Sequence, residues 1–289
     1  MKRLCLIHAN CQGEPLADLL AGHGAFGGDF EIRLVVNYAR QPILPDDLAR
    51  CGLFLYQRLE AEWGELASDA ILSRLPAGCP SLCLPNLFFL DYWPFWSSNA
   101  AFAYSDFFLD ALLSRGLSDR EIMHLYLHTD PARYYDLDAI MEKSRLREED
   151  KARHWDIRLS PVVRRRFRDR LLFHTINHPG KELCLAVADG VLDQLGYAPL
   201  PPAARDAFPD PFGEFTLPIH PGIAARLGLT FLPDRPLFPV YGRDMAMEEY
   251  VGCYLACKRL GESDFIGFLR LRAALGGEKA PAGDGRPDP

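Results

Sequence analysis

The feature that most limits the folds open to this chain is the alternation, over its first hundred residues, of short apolar runs with helix-like segments. Leu4 to His8, Phe30 to Asn37, Leu53 to Gln57 and Ser81 to Leu84 read as strands, and in the second Ile32, Leu34 and Val36 share one face. Between them Glu14 to Ala21, Asp46 to Cys51 and Ser68 to Leu75 read as helices, the last with Ser68 as its N-cap. Strands that alternate with helices pair in parallel, because a parallel partner needs a crossover long enough to hold a helix. The N-terminal half is therefore expected to be α/β, a parallel sheet flanked by helices.

From Ser105 to Asp169 the pattern turns helical. Ser105 and Ser118 stand where helix caps belong, and Ser118-Asp119-Arg120-Glu121 reads as a capping box. Leu171 to Thr175 looks like a strand returning to the sheet, followed by Asn177-His178-Pro179-Gly180 and a helix from Lys181 to Leu195. Ala198 to Pro239 is proline-rich and irregular, Met245 to Leu275 is an amphipathic helical closure, and Gly276 to Pro289 is a polar tail expected to be loose. The organisation expected is one α/β domain over 1–275, with a helix-rich insertion at about 105–169, a helical C-terminal part and a tail at 276–289.

Composition narrows the function classes. A formal charge of -7 disfavours general nucleic-acid binding, which needs clustered positive charge to neutralise phosphates. The apolar run after Met1-Lys2-Arg3 stops at His8, short of a signal peptide, and the stretch Leu82 to Phe95 is broken by Pro85, Asn86, Asp91 and Pro94. No membrane span is expected. The eight cysteines sit mostly in apolar runs and read as reduced thiols, which points to the cytoplasm. Cys79/Cys83, Cys253/Cys257 and His124/His128 lack the companion ligands of a zinc site, so no metal is expected.

In an open parallel sheet, ligands sit at the carboxyl ends of the strands. Asn10-Cys11-Gln12-Gly13 occupies that place after the first strand, and Cys11 falls near a helix N-terminus, where free N–H groups favour a thiolate and bound anions. Three more strand ends finish in polar residues, Gln57, Asn86 and Asn177-His178. The amides of Gln57 and Asn86 can serve an oxyanion, and His178 has the ordinary pKa of a general base. His174, inside its strand, reads as a core histidine. Tyr92, among Trp93, Phe95 and Trp96, is a candidate pocket wall. Arg164, Arg165 and Arg166, with Arg168 and Arg170, follow the helix start Ser160-Pro161; they form either a solvated helix face or a phosphate site for a nucleotide-bearing cofactor.

Three stretches together, His8-Ala9-Asn10-Cys11-Gln12, Leu84-Pro85-Asn86-Leu87-Phe88-Phe89 with Tyr92-Trp93-Pro94, and Phe173-His174-Thr175-Ile176-Asn177-His178-Pro179, resemble the WcbI-type capsular polysaccharide biosynthesis acetyltransferases over residues 3 to 255. Family members often carry glycine before the Asn-Cys-Gln, where this chain has Ala9. The resemblance implies a Rossmann-like or SGNH-like sheet, binding of coenzyme A, and O-acetylation of a capsule sugar in a bacterium. The layout is also similar to the SGNH hydrolases, with Cys11 in the place of their serine and Asn86 in that of their asparagine. Asn177-His178 departs from their Asp-x-x-His, which places a hydrolytic triad in doubt.

The function expected is acyl transfer from acetyl-CoA to a sugar or polysaccharide acceptor. His178 is its general base, Asn10, Gln12, Gln57 and Asn86 its positioning or oxyanion groups, and Cys11 either nucleophile or anion-site residue. Cofactor contacts are expected from Asn10, Cys11, Gln12, Asn177, His178, Tyr92 and Arg164 to Arg166. The rivals are an esterase or thioesterase using water at the same loops, and a nonenzymatic CoA-binding component of a biosynthetic complex.

Overall fold

The computed structural model describes residues 2–276. Strands β1 (Arg3–Ala9), β2 (Phe30–Val36), β3 (Cys51–Gln57) and β4 (Ser81–Leu84) form a parallel sheet in the order β2-β1-β3-β4. The central strand β1 is buried from Leu4 to Ala9 because both its faces are covered. On one face Leu6 and Phe54 pack with Ile43, Leu48, Cys51 and Ile71. On the other lies helix α1 (Gly13–Gly22), which also packs against the helix Lys181–Gln194. At Gly13 a Cβ would stand 2.7 Å from Leu34 Cδ1 and 2.9 Å from the Ala9 Cβ, so only glycine lets α1 start this close to the sheet. The α/β class with helices flanking a parallel sheet is as expected.

The strand order decides where a ligand can enter. From β1 the chain crosses to one side for β2 and then back to the other for β3 and β4, so the loops after β1 and β3 leave in opposite directions and open a crevice at the sheet's carboxyl end. Asn10 and Gln57 stand there.

The chain forms two compact units, one of the residues up to Phe89 with Glu142–Phe212, the other of Leu90–Met141 with the described residues from Gly213 onward. The helical stretch read from sequence as an insertion at about 105–169 is thus divided between them at Met141. Among the described residues no helix is long and apolar enough to cross a membrane.

Several local expectations change. Phe173–Thr175 does not rejoin the sheet; the chain turns back at once and pairs it antiparallel with His178–Pro179 in a small hairpin, which satisfies its backbone groups locally. Ser68 caps nothing, because its hydroxyl accepts the Leu59 N–H at 2.8 Å. Ser105 lies in a bridge with Ser97, and Asp106 caps the helix Phe107–Leu113 instead. The helix Ser160–Arg166 begins one residue early, with Leu159 as its cap. The Ser118–Glu121 capping box is present. The irregular 198–239 stretch holds the short helices Pro202–Ala207 and Pro221–Leu227. Gly261, at φ 74°, splits the C-terminal stretch into Met247–Leu260 and Phe265–Gly276. Beyond Gly276, the tail lies outside the described residues.

The second unit is built on aromatic packing around Asp106. Its carboxyl accepts the Tyr126 hydroxyl at 2.6 Å and the Leu109 N–H at 2.9 Å. Although the residue keeps some exposed surface, the carboxyl itself is enclosed, and burial pushes its pKa up to about 7 against the hydrogen bonds that favour the anion. An acid whose pKa is raised on folding holds more protons folded than unfolded between about 4 and 7, so stability falls as pH rises across that window and levels off above it. Asp106→Asn keeps an acceptor for both donors and has no charge to bury. Its melting temperature relative to the parent is expected to rise from pH 4.5 to pH 8; a difference independent of pH would show that the carboxyl is ionised throughout.

Candidate active site

Four chain segments meet at the crevice through their amide side chains. The Gln57 Oε1 accepts the Asn10 backbone N–H at 2.9 Å, and its Nε2 donates to Gln12 Oε1 at 3.1 Å and to the Pro85 carbonyl at 3.0 Å. Gln12 reaches across in turn, donating to the carbonyls of Leu87 and Asn177, both at 2.8 Å, while its Oε1 also accepts the Leu87 N–H at 3.1 Å. Asn10 Oδ1 takes the Gln12 N–H at 2.9 Å, and its Nδ2 donates to Asn86 Oδ1 at 3.3 Å. A backbone bond from Phe89 N–H to the Ile176 carbonyl, 2.7 Å, closes the ring of segments.

This bonding corrects the roles read from sequence. Gln57 is 1 % exposed with both N–H bonds engaged, so it has no donor for an oxyanion. Gln12 is equally committed. The Asn177 side chain accepts the Thr175 hydroxyl at 3.2 Å while its carbonyl holds Gln12. These amides form a clasp that fixes the loops.

Cys11 and His178 flank the clasp, one between Asn10 and Gln12 and the other beside Asn177, and both stay partly exposed. Six of the eight cysteines are buried, and only Cys11 and Cys79 reach the surface. The expected thiolate is not favoured. The N–H groups of Gln12, Gly13 and Glu14 already bond to Asn10 Oδ1 and to the carbonyls of Asn10 and Cys11, and Pro15 has no N–H. The first N–H groups of the helix thus already have acceptors. Burial, then the Glu14 carboxylate, raises the Cys11 pKa above that of an ordinary thiol, against weaker backbone hydrogen bonds.

His178 also departs from the ordinary histidine assumed. Its ring lies flat on Phe212, centroids 4.5 Å apart at 4°, and burial together with nearby His174 lowers its pKa to about 4. It is neutral at pH 7 and open to a proton, though a weak base. His174 is buried as expected, with Nε2 2.9 Å from Asp210 Oδ2. Burial works to raise the Asp210 pKa, but His174 and the backbone N–H groups of Lys181 and Phe212 outweigh it and the carboxyl is held low.

The remaining predicted cofactor residues divide. Tyr92 belongs to the second unit, fully buried against Trp93 and Phe231. Arg164 pairs with Glu149, and Arg166 with Asp169 and Glu182, while Arg165 is exposed and makes no ion pair among the described residues. Lys151, which sequence reasoning missed, donates to the Asn86 carbonyl at 3.1 Å while its ammonium pairs with Glu148 at 2.6 Å. No local pattern marked it, because it lies 65 residues from Asn86 along the chain.

Fold and site together define an α/β protein whose candidate centre lies at the carboxyl end of a parallel sheet, at the reversal of strand order. A family model described as the polysaccharide biosynthesis enzyme WcbI matches residues 4–200. The chain belongs to this family. A solved structure of WcbI, described as a novel polysaccharide biosynthesis enzyme and as the native protein without a disulfide bond between coenzyme A and one of its cysteines, shares the fold with a TM-score of 0.73. It is 17% identical, and the likeness covers 96% of each chain. No curated protein matches.

Removing the clasp's centre tests its structural role. Gln57→Leu takes away the partners of the Asn10 N–H and the Pro85 carbonyl in a buried setting, while Gln12 Oε1 keeps the Leu87 N–H. A loss of about 1–3 kcal/mol is expected in urea unfolding, the cost of an unsatisfied buried group. An unchanged midpoint would mean the clasp carries no stability.

Proposed function

We propose that the chain is an acyl-CoA-dependent O-acyltransferase, with acetyl the expected group, that modifies a sugar of a capsular or other polysaccharide precursor in the cytoplasm. The observation that carries this reading is the clasp. It spends four amide side chains to hold a partly exposed thiol and a neutral imidazole at the crevice of a parallel sheet. Membership in a polysaccharide biosynthesis family and a neighbouring structure described with coenzyme A support the substrate pair.

The raised Cys11 pKa favours direct transfer over acyl-cysteine formation, since a neutral thiol is a poor nucleophile. In direct transfer the sugar hydroxyl attacks the thioester carbonyl, a C–O bond forms and the C–S bond breaks. The hydroxyl proton passes to His178 and then to the departing CoA thiolate. Cys11 lies at the thiol end of the cofactor as a binding residue, and Asn86 positions the reacting groups. Cations hold the CoA phosphates, and Arg165, exposed and outside any ion pair among the described residues, is the residue assigned to them.

Coenzyme A at about 100 times its dissociation constant is expected to stabilise the fold by roughly 2.7 kcal/mol, read as a rise in melting temperature. Arg165→Ala should weaken that binding more than Arg164→Ala or Arg166→Ala. No shift at millimolar CoA would count against acyl-CoA chemistry, and three equivalent arginines would return them to a solvated helix face.

Acceptor-dependent release of CoA separates transfer from hydrolysis, and its absence alongside intact CoA binding would favour a nonenzymatic component. His178→Ala is expected to lose roughly 10²- to 10⁴-fold in kcat, while Cys11→Ser keeps appreciable turnover and no acyl adduct forms on Cys11. An adduct found by mass spectrometry would make Cys11 the nucleophile. With the His178 pKa near 4, kcat/KM should hold from pH 7 to 5 and fall as pH drops toward 4. A fall centred near 6.5 would assign the proton to another group.

A further inference from the structure

The imidazole of His178 is bounded by a hairpin, a helix start and an aromatic ring, and one carboxylate touches all three. His178 stands in the hairpin opposite Thr175, and Pro179 stands opposite Phe173. The chain then enters the 14-residue helix Lys181–Gln194 through Gly180, whose N–H bonds to the Leu172 carbonyl at 2.8 Å. Glycine has no side chain with which to cap that helix, and no side-chain cap is present. Asp210 supplies the acceptor from further along the chain by taking the Lys181 N–H. It also takes the Phe212 N–H, and its Oδ2 lies 2.9 Å from His174 Nε2.

Each contact bears on a different side of His178. His174 precedes it in the hairpin and Lys181 follows it at the helix start, while Phe212 lies under the ring at 4.5 Å and 4°. The bond from the Asp210 carboxyl to the N–H two residues on is an Asx turn, which sets the direction in which Phe212 leaves the backbone. Phe212 in turn limits rotation of the imidazole stacked on it. A carboxylate suits this place better than an amide. A helix N-terminus favours negative charge, and bonds to an anion are stronger than bonds to a neutral acceptor. Against the burial that works to raise its pKa, these donors hold Asp210 below the ordinary carboxylate range, so it is an anion at neutral pH.

We propose that Asp210 is the positioning residue for His178. It fixes the hairpin before the imidazole, the helix after it and the ring beneath it, so that the imidazole keeps one orientation at the crevice. This rests on the reading of His178 as the proton acceptor of the reaction, and names the residue through which the fold aims it.

The experiment observes the imidazole itself and needs neither CoA nor an acceptor sugar. Histidine ring signals of the full chain are followed by NMR against pH, with His178 assigned by its loss in His178→Gln. In the parent, the Phe212 face should shift the His178 ring protons upfield, and their titration should centre near 4. Phe212→Leu marks the unstacked positions. Asp210→Ala is expected to move the His178 signals toward those positions and its pKa up toward the ordinary 6.5, because a freed ring regains water. Asp210→Asn keeps an acceptor for the two N–H groups and should leave signals and pKa close to the parent's. A residue acting only through its charge would lower the His178 pKa equally in both variants, since loss of an anion disfavours imidazolium. One that served stability alone would lower the melting temperature of Asp210→Ala and leave the His178 signals in place. Either result overturns the proposal. Where Asp210→Ala does not fold, Lys181→Pro removes one N–H from the carboxylate at a helix position that suits proline. A partial shift of the His178 signals then supports the proposal, and unmoved signals overturn it. Absence of acyl transfer would leave these spectra unchanged, and a failed positioning role would leave CoA binding unchanged, so the two readings fail separately.

Discussion

The candidate centre depends on one buried amide. Gln57, at the end of β3, gives its carbonyl oxygen to the Asn10 N–H and its two N–H bonds to Gln12 and Pro85, so a single side chain ties the loops after β1, β3 and β4. Gln12 extends the tie to the 173–179 hairpin. A glutamine suits this place because it offers donor and acceptor without charge, and a charged group would incur a far larger desolvation cost at 1 % exposure. Loops set in this way can present reactive groups at fixed positions although none of them is regular structure.

The clasp also explains why the reactive groups are quiet. By drawing Cys11 into partial burial near Glu14, against weaker backbone hydrogen bonds, the fold keeps the thiol protonated. Burial, with His174 nearby, keeps His178 neutral. A neutral thiol and a neutral imidazole fit a thioester donor and a hydroxyl acceptor better than they fit thiolate chemistry, because a proton acceptor is needed only once the acceptor hydroxyl attacks. In the proposed reaction the imidazole takes the proton and the sulfur makes contact only.

The two units carry different chemistry. The first concentrates hydrogen-bonded amides, a thiol and two histidines around a sheet end, whereas the second encloses a carboxyl and a tyrosine hydroxyl that is unpaired among the described residues within aromatic rings. Polar groups within such rings are costly when unpaired, which is why the Tyr250 hydroxyl stands out, whereas the Asp106 carboxyl has its partners in Tyr126 and Leu109.

The sequence by itself determined the α/β class, the four strands of the sheet, the Ser118 capping box and the positions Asn10, Cys11, Gln12, Gln57, Asn86, Asn177 and His178 at strand ends, because all of these follow from local periodicity and turn chemistry. Tertiary structure alone decided the rest. Whether an amide serves an oxyanion or a neighbouring loop depends on partners 45 to 165 residues away. Both His178's low pKa and Cys11's raised one come from burial that periodicity does not report. The short strand before Asn177 left the sheet for a hairpin, Lys151 arrived beside Asn86, and the helical stretch was divided between two units. The hairpin is a local pairing that won over the sheet, whereas the Lys151 contact joins distant residues and leaves no trace in the pattern of either segment alone.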